Sequence, residues 1–217
     1  MPYRVIKRVF DVVASSVATI VFLIPWVIIS AIIKHQSPGP VIYKARRVGK
    51  RGKVFTLYKF RSMRVDSGKV HITTLRSDPR IFPFGSFLRN TKLDETPQLI
   101  NILKGEMSVI GPRPEDEENA FGMYTGRYRE ILDATPGLSS PASLYDYSVG
   151  ETYTDEETYR KEFLPKKLEV ELYYVRHRGL WYDFTVILRT VSSIFAMLTG
   201  RPIRVPWEAQ VALPQDK

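Results

Sequence analysis

A chain of 217 residues is long enough for one domain with a real core and too short for two full ones. Its net charge of +9 calls for an anionic partner, which could be nucleic acid, an anionic membrane surface or a phosphorylated substrate, so the placement of the charge decides. There is no cysteine, which excludes disulfides and thiolate metal sites and agrees with a cytoplasmic setting.

From Val12 to Ile33 no charged residue occurs. This run of about 22 residues reaches the roughly 20 needed to cross a bilayer as a helix. Pro25 lies near its middle, where it removes a backbone hydrogen bond. The flanks are basic on both sides, with Arg4, Lys7 and Arg8 before the run and Lys34, Lys44, Arg46, Arg47, Lys50, Arg51 and Lys53 after it. Because positive flanks stay in the cytoplasm, a helix bent at Pro25 that enters and leaves by one leaflet satisfies both features. A single span remains open, since proline is tolerated in membrane helices. A signal peptide fits poorly, because the run is long for its apolar core and no small-residue cleavage site stands near Ser30 and Ala31.

The next segment, SPGPVIYKARRVGKRGKVFTLYKFRSM, reads as a Pro/Gly turn, a strand over 41–48, a basic turn over 49–53 and a strand over 54–60. Its cations directly follow a membrane segment, which favours anionic lipid over nucleic acid and over a merely solvated charge run.

In LDETPQLINILKGEMSVIGPRP, Thr96 and Pro97 suit the first positions of a helix. Leu99, Ile100, Ile102 and Leu103 give it an apolar face, Lys104 sits in its last turn, and Gly105 closes it. Asp94 and Glu95 then stand at its mouth, where free amides and the helix dipole stabilise anions. On these residues alone the pair is either an acidic N-cap or part of a phosphate-handling site. Arg113 follows between Pro112 and Pro114.

Glu115 to Glu118 are all acidic and open a helix running to about Leu132, as dipole-complementing acids and not as a metal site. A Ser-, Tyr- and Pro-containing loop follows Pro136 and Gly137, then a charged helix over 155–178. The last apolar stretch, Trp181 to Leu198, has helical spacing and contains Arg189, so it does not span. Core packing and an interfacial helix explain it equally well. The segment after Arg201 has three prolines and no periodicity, and is expected to be irregular. The three histidines have no ligand spacing, and neither a Gly-rich phosphate loop nor an Asp-x-Asp triplet is present.

Four motifs occur in order: YKFRSM from Tyr58, FGSFLRNTKLDETPQLINILKG from Phe84, MSVIGPRP from Met107, and Pro136-Gly137. With the N-terminal apolar segment they resemble the monotopic phosphoglycosyl transferases, bacterial enzymes that move a sugar phosphate from a nucleotide sugar onto polyprenyl phosphate. The resemblance covers most of residues 1–140. It implies that Asp94 attacks the sugar-bearing phosphate of a UDP-sugar, that UMP leaves, and that undecaprenyl phosphate collects the sugar phosphate from Asp94. It also implies that Glu95, with Asp94, holds Mg²⁺ across the diphosphate, and that Lys59 and Arg113 bind substrate phosphates. Arg61 and Arg89 are further phosphate-binding candidates that serve equally as surface or packing cations. A catalytic domain on the cytoplasmic face of the inner membrane, touching membrane phospholipids and no nucleic acid, follows from the same likeness.

The chain departs from these relatives in two places. The break in the membrane helix is Ile24-Pro25 where relatives commonly have Ser-Pro, and LSSPASLYDYSVGE stands where many have ITGWAQV and a Gly-Arg-Asn turn. The second departure leaves the donor sugar open. The expected fold class is α+β, mostly helical. A re-entrant, Pro-kinked membrane helix over 1–36 leads to a small β-hairpin and a cytosolic helical catalytic domain over 37–200 with interfacial amphipathic helices, then an irregular tail over 201–217. Two rival functions remain at this stage, a membrane-tethered phosphohydrolase using Asp94 and a non-catalytic module that binds anionic lipid.

Overall fold

Helix α1, Pro2–Gln36, is the long apolar element, and its helical assignment runs unbroken through Pro25. The structure is a computed structural model that describes residues 2–65, 79–153 and 155–212. Among these, α1 alone is long and apolar enough to cross a membrane.

One stripe of α1 faces the rest of the protein along its whole length. Tyr3 and Lys7 bond the Asp183 carboxylate at 2.9 and 2.7 Å, and Asp11 accepts the Val109 backbone N–H at 2.9 Å. Ser15 is buried, Ala18, Phe22 and Trp26 pack around Leu99, Ile102 and Met107, and Ile29 and Ile33 join Phe60, Phe82 and Leu88. These positions recur every three or four residues, as one face of a helix requires. Arg8 lies beside the stripe and donates to the last carbonyls of the helix Gln98–Lys104, Ile102 at 2.6 Å and Leu103 at 2.9 Å, which suits a cation at a helix C-terminus. The opposite face exposes Val5, Val9, Val13, Val17, Ile20, Val21, Ile24, Val27 and Ile28. A helix that crosses about 30 Å of hydrocarbon has its ends on opposite sides. Here the rest of the protein touches the helix at Tyr3 and again at Ile33. A contiguous apolar face of this extent marks a membrane contact.

The chain then forms an antiparallel hairpin, β1 (Ile42–Val48) and β2 (Val54–Phe60), with Tyr43 opposite Lys59 and Val48 opposite Val54. Gly49 and a left-handed Arg51 (φ 56°) shape the basic turn. After residue 79 come α2 (Pro83–Thr91), a 3₁₀ turn (Leu93–Glu95) and α3 (Gln98–Lys104), which Gly105 ends at φ 83°. The buried Asn101 of α3 accepts from the Tyr58 N–H at 3.1 Å and donates to Thr56 O at 2.7 Å, fastening α3 to the free edge of β2.

Strand β3 (Ser108–Ile110) pairs in parallel with β4 (Gly137–Ser139). Beside this pairing, Gly111, which follows β3, and Gly137, which opens β4, meet backbone to backbone, and a Cβ on Gly137 would stand 2.0 Å from the Gly111 nitrogen. That contact, with the Gly137 N–H donating to Pro112 O at 2.8 Å, sets the Pro-Arg-Pro segment against the Pro-Gly turn.

The acidic segment opens α4 (Glu117–Met123), but the single helix expected to run to Leu132 is divided at Gly126 (φ 52°), after which a 3₁₀ segment covers Gly126–Asp133. The expected loop after Gly137 contains α5 (Pro141–Ser148). The charged helix consists of α6 (Glu156–Thr158), a π turn (Tyr159–Phe163) and α7 (Leu164–His177).

Helix α8 (Leu180–Leu198) buries Asp183, Val186 and Ser193 and exposes Trp181, Phe184, Leu188, Val191, Phe195 and Leu198. Between the two readings of this stretch, the exposed apolar stripe favours an interfacial helix over a fully packed one. The expected irregular tail contains α9 (Trp207–Ala212), whose buried Glu208 takes two hydrogen bonds of 2.7 Å from Arg189. Residues 213–217 of that tail lie outside the described residues. The architecture is α+β and mostly helical, with a long apolar N-terminal helix.

Candidate active site

Asp94 and Glu95 stand ahead of α3, as expected, but not as its cap. They form the 3₁₀ turn that feeds α3, with Lys92 before them held in the left-handed conformation (φ 57°). Pro97 follows as the residue just before α3. The turn is anchored from α1, because Trp26 Nε1–H donates to Thr96 Oγ1 at 2.9 Å while the Thr96 hydroxyl donates to Leu93 O at 2.8 Å.

Asp94 is 5% exposed, and its Oδ1 is buried without a hydrogen-bond partner. An orphaned carboxylate oxygen in a low-dielectric site is costly unless something charged is to meet it. Burial and the neighbouring Glu95 push the Asp94 carboxyl above its ordinary range, and the positive charges of Lys59, Arg89 and Lys92 oppose that rise. For Glu95, burial acts upward but is outweighed by Arg113, Lys92 and Lys59, so its carboxyl is held below the usual range. Adjacent carboxylates with pKa values driven apart are a signature of a working pair.

Five of the six residues singled out in the sequence come together here. Lys59 is delivered by β2, lies over the Tyr43 ring at 5.3 Å, and has its ammonium pKa lowered by burial despite Asp94. Arg89 comes from the last turn of α2, where its charge bears on Asp94. Arg113 donates to Glu95 Oε1 at 3.1 Å.

Arg61 is placed elsewhere. Its guanidinium donates to Ser37 Oγ at 3.0 Å, Pro38 O at 2.8 Å and Ser37 O, which ties down the turn leaving α1. These contacts use its two terminal nitrogens, while its Nε is buried without a partner.

Three residues of the site were not foreseen. Lys92 lies 3.9 Å over the Tyr147 ring, which brings the middle of the divergent segment against the carboxylate pair. The signal for α5 was present in the sequence: Ser140 accepts from the Ser143 N–H at 2.9 Å as an N-cap and Pro141 takes the first helical position. Behind Arg113, the buried Glu171 of α7 accepts from the Arg113 backbone N–H at 2.9 Å and from the Ser140 hydroxyl at 3.0 Å. A charged residue spaced among buried Leu168, Val170 and Leu172 was the only trace of it.

Among the described residues no group of three or more His, Cys, Asp or Glu side chains could enclose a metal. The Asp94 and Glu95 oxygens nevertheless suit Mg²⁺, which commonly uses one or two carboxylates, retains waters and shares substrate phosphate oxygens. The free Oδ1 of Asp94 is the donor that fits best. The site therefore combines a buried carboxylate that has an unpartnered oxygen with neighbouring cations whose charge can offset that of a phosphate.

The bacterial sugar transferase family matches residues 2–197, and the chain belongs to that family. The UDP-glucose:undecaprenyl-phosphate glucose-1-phosphate transferase of Escherichia coli is 34% identical over 200 residues, 88% of this chain and 40% of that protein. The UDP-N-acetylgalactosamine-undecaprenyl-phosphate N-acetylgalactosaminephosphotransferase of Aeromonas hydrophila is 35% identical over 208 residues, covering 91% and 45%. The exopolysaccharide production protein PSS of Rhizobium leguminosarum is 36% identical over 201 residues, covering 87% and 94%. The chain thus spans less than half the length of the first two and nearly all of the third.

Proposed function

We propose that this protein transfers a sugar 1-phosphate from a UDP-sugar to undecaprenyl phosphate through a covalent phosphosugar intermediate on Asp94. The observation that carries this reading is the buried Oδ1 of Asp94, unpartnered and under the charges of Lys59, Arg89 and Lys92. An Asp94 oxygen attacks the phosphorus that bears the sugar, and the bond from that phosphorus to the UMP oxygen breaks. A phosphate oxygen of the lipid then attacks the same phosphorus, which frees Asp94 and completes the lipid-linked sugar diphosphate. Lys59, Arg89 and Lys92 offset the charge that accumulates as a carboxylate approaches a diphosphate. Arg113, fixed by Pro112, Pro114 and the bond from its backbone to Glu171, presents a planar fork suited to a phosphate or a carboxylate. A Mg²⁺ held by Asp94 and Glu95 would neutralise charge on the diphosphate.

The exposed faces of α1 and α8 suit a domain that rests on one leaflet, where a long lipid carrier can reach Asp94. With basic residues at both ends of α1, that side is the cytoplasmic face of the inner membrane. The donor sugar is not set by similarity, since relatives named for glucose and for N-acetylgalactosamine stand at 34% and 35% identity.

The test is to incubate purified protein with single UDP-sugars, Mg²⁺ and undecaprenyl phosphate, and to follow UMP release and the mass of the protein. Release of UMP with a sugar phosphate added at Asp94 supports the proposal. Sugar phosphate or inorganic phosphate released without lipid would point to a phosphohydrolase, and no turnover across the UDP-sugar panel would leave a lipid-binding module.

A further inference from the structure

Four cations gather where α1 begins, away from the Asp94 site. Arg4 lies in the first turn of α1, Lys50 and Arg51 form the tip of the hairpin, and Arg178 sits in the turn between α7 and α8. Burial and the like charges of Arg4, Arg51 and Arg178 pull the Lys50 ammonium below its ordinary range, with Asp133 acting in the other direction. The α1 end is pinned in place, since Tyr3 and Lys7 both hold Asp183, five residues beyond Arg178. That carboxylate is fully engaged, because Tyr174 also donates to it at 2.6 Å.

Among the described residues none of the four cations forms an ion pair, and Arg178 Nη1 is buried with no partner at all. Like charges held together with a buried guanidinium nitrogen unsatisfied are unfavourable without an anion. The neighbours indicate which anion. Val5 and Val9 are exposed on α1, and Leu180 and Trp181 are exposed at the start of α8, with Trp181 at 76%. Cations beside exposed apolar residues and a tryptophan match the headgroup depth of a bilayer. Lys59 lies six strand steps along β2 from Lys53, or roughly 20 Å, so this cluster is too distant to share a phosphate with Asp94.

We propose that Arg4, Lys50, Arg51 and Arg178 form a binding site for the phosphate of an anionic membrane phospholipid, distinct from the site that takes the reacting phosphates. The proposal rests on α1 and α8 facing lipid and does not depend on the chemistry at Asp94.

The experiment uses the full chain in neutral detergent micelles doped with phosphatidylglycerol or phosphatidylcholine, with retained lipid counted by native mass spectrometry. Wild type is expected to hold phosphatidylglycerol in preference to phosphatidylcholine. A cation near an anionic surface is worth about fivefold in affinity. Retention should therefore fall about fivefold in Lys50→Gln and tenfold or more in Arg4→Gln/Arg178→Gln. The control pair Lys44→Gln/Lys53→Gln removes two exposed hairpin charges outside the cluster and should change retention less than twofold. Equal loss in the control pair would mean diffuse attraction and overturn the site. So would undiminished retention in both cluster variants, or displacement of the lipid by millimolar inorganic phosphate, which would mark a free-phosphate site. Lys50→Gln should melt with wild type, so its result does not turn on folding. UMP release measured on the same samples reports on Asp94 separately.

Discussion

Trp26, one residue past Pro25 in α1, donates its indole N–H to Thr96, the residue that follows the Asp94-Glu95 turn, at 2.9 Å. The membrane helix is thereby joined to the carboxylate pair by a single hydrogen bond and not only by apolar packing. Replacing Trp26 by Phe keeps an aromatic ring against Phe60, whose centroid is 6.4 Å away, and removes the donor. A hydrogen bond of this type is worth about 1 kcal/mol net, so the rate of UMP release should fall roughly fivefold with little change in KM for the UDP-sugar. An unchanged rate would separate the helix from the chemistry.

Asp94→Asn bears on the nucleophile. UMP release should fall by at least about a thousandfold, and the mass adduct should disappear. Because the carboxylate is buried with an orphaned oxygen, the amide relieves an unfavourable buried charge, and the melting temperature should stay level or rise. Substantial turnover by the Asn variant would exclude covalent catalysis at this residue.

Arg113→Lys distinguishes charge from shape. Lysine retains the positive charge but not the planar fork that reaches Glu95 at 3.1 Å. A charge-assisted hydrogen bond is worth about 1.5 to 3 kcal/mol, so kcat/KM for the UDP-sugar should fall by roughly tenfold or more. If Lys supports wild-type kcat/KM, Arg113 acts only as a point charge. Its backbone bond to Glu171 is unaffected by the change, so melting should report little difference.

The parts legible in the sequence are those written in local chemistry. The hairpin follows from β-branched and aromatic runs around a Gly-Lys-Arg-Gly turn, and its strands lie within a residue of expectation. The proximity of Lys59, Arg89, Asp94, Glu95 and Arg113 came from ordered motifs, not from periodicity. What stayed hidden depends on tertiary pairing. Three-residue strands such as β3 and β4 have no period to read, and they align only because two glycines permit backbone contact. Nothing in the sequence around Arg61 says that its fork turns back to Ser37 and Pro38. Tyr147 lies in a segment whose Ser, Tyr and Pro content reads as a loop, although its Ser-Pro start is a helix cap.

Glu171 gives the protein a pH dependence that can be isolated from catalysis. Burial pushes its carboxyl up to about 7 from an ordinary 4.5, with the Arg113 N–H, Lys167 and the Ser140 hydroxyl opposing the rise. Its Oε1 serves both donors, while Oε2 is buried without a partner. In the unfolded chain the same group titrates near its ordinary value. Between these two values the folded protein binds the extra proton, so stability should fall as pH rises from about 4.5 to about 7 and then level off. One pKa unit corresponds to about 1.4 kcal/mol, which makes the loss on the order of 3 to 4 kcal/mol. Glu171→Gln keeps an acceptor oxygen for Arg113 and Ser140 and has no proton to exchange. Melting curves in detergent should therefore show the variant as stable as wild type near pH 5 and more stable at pH 8, with UMP release at pH 8 changed by less than about threefold. Parallel pH profiles for the two proteins would mean that Glu171 is ionised throughout, and that the orphaned oxygen is compensated in another way.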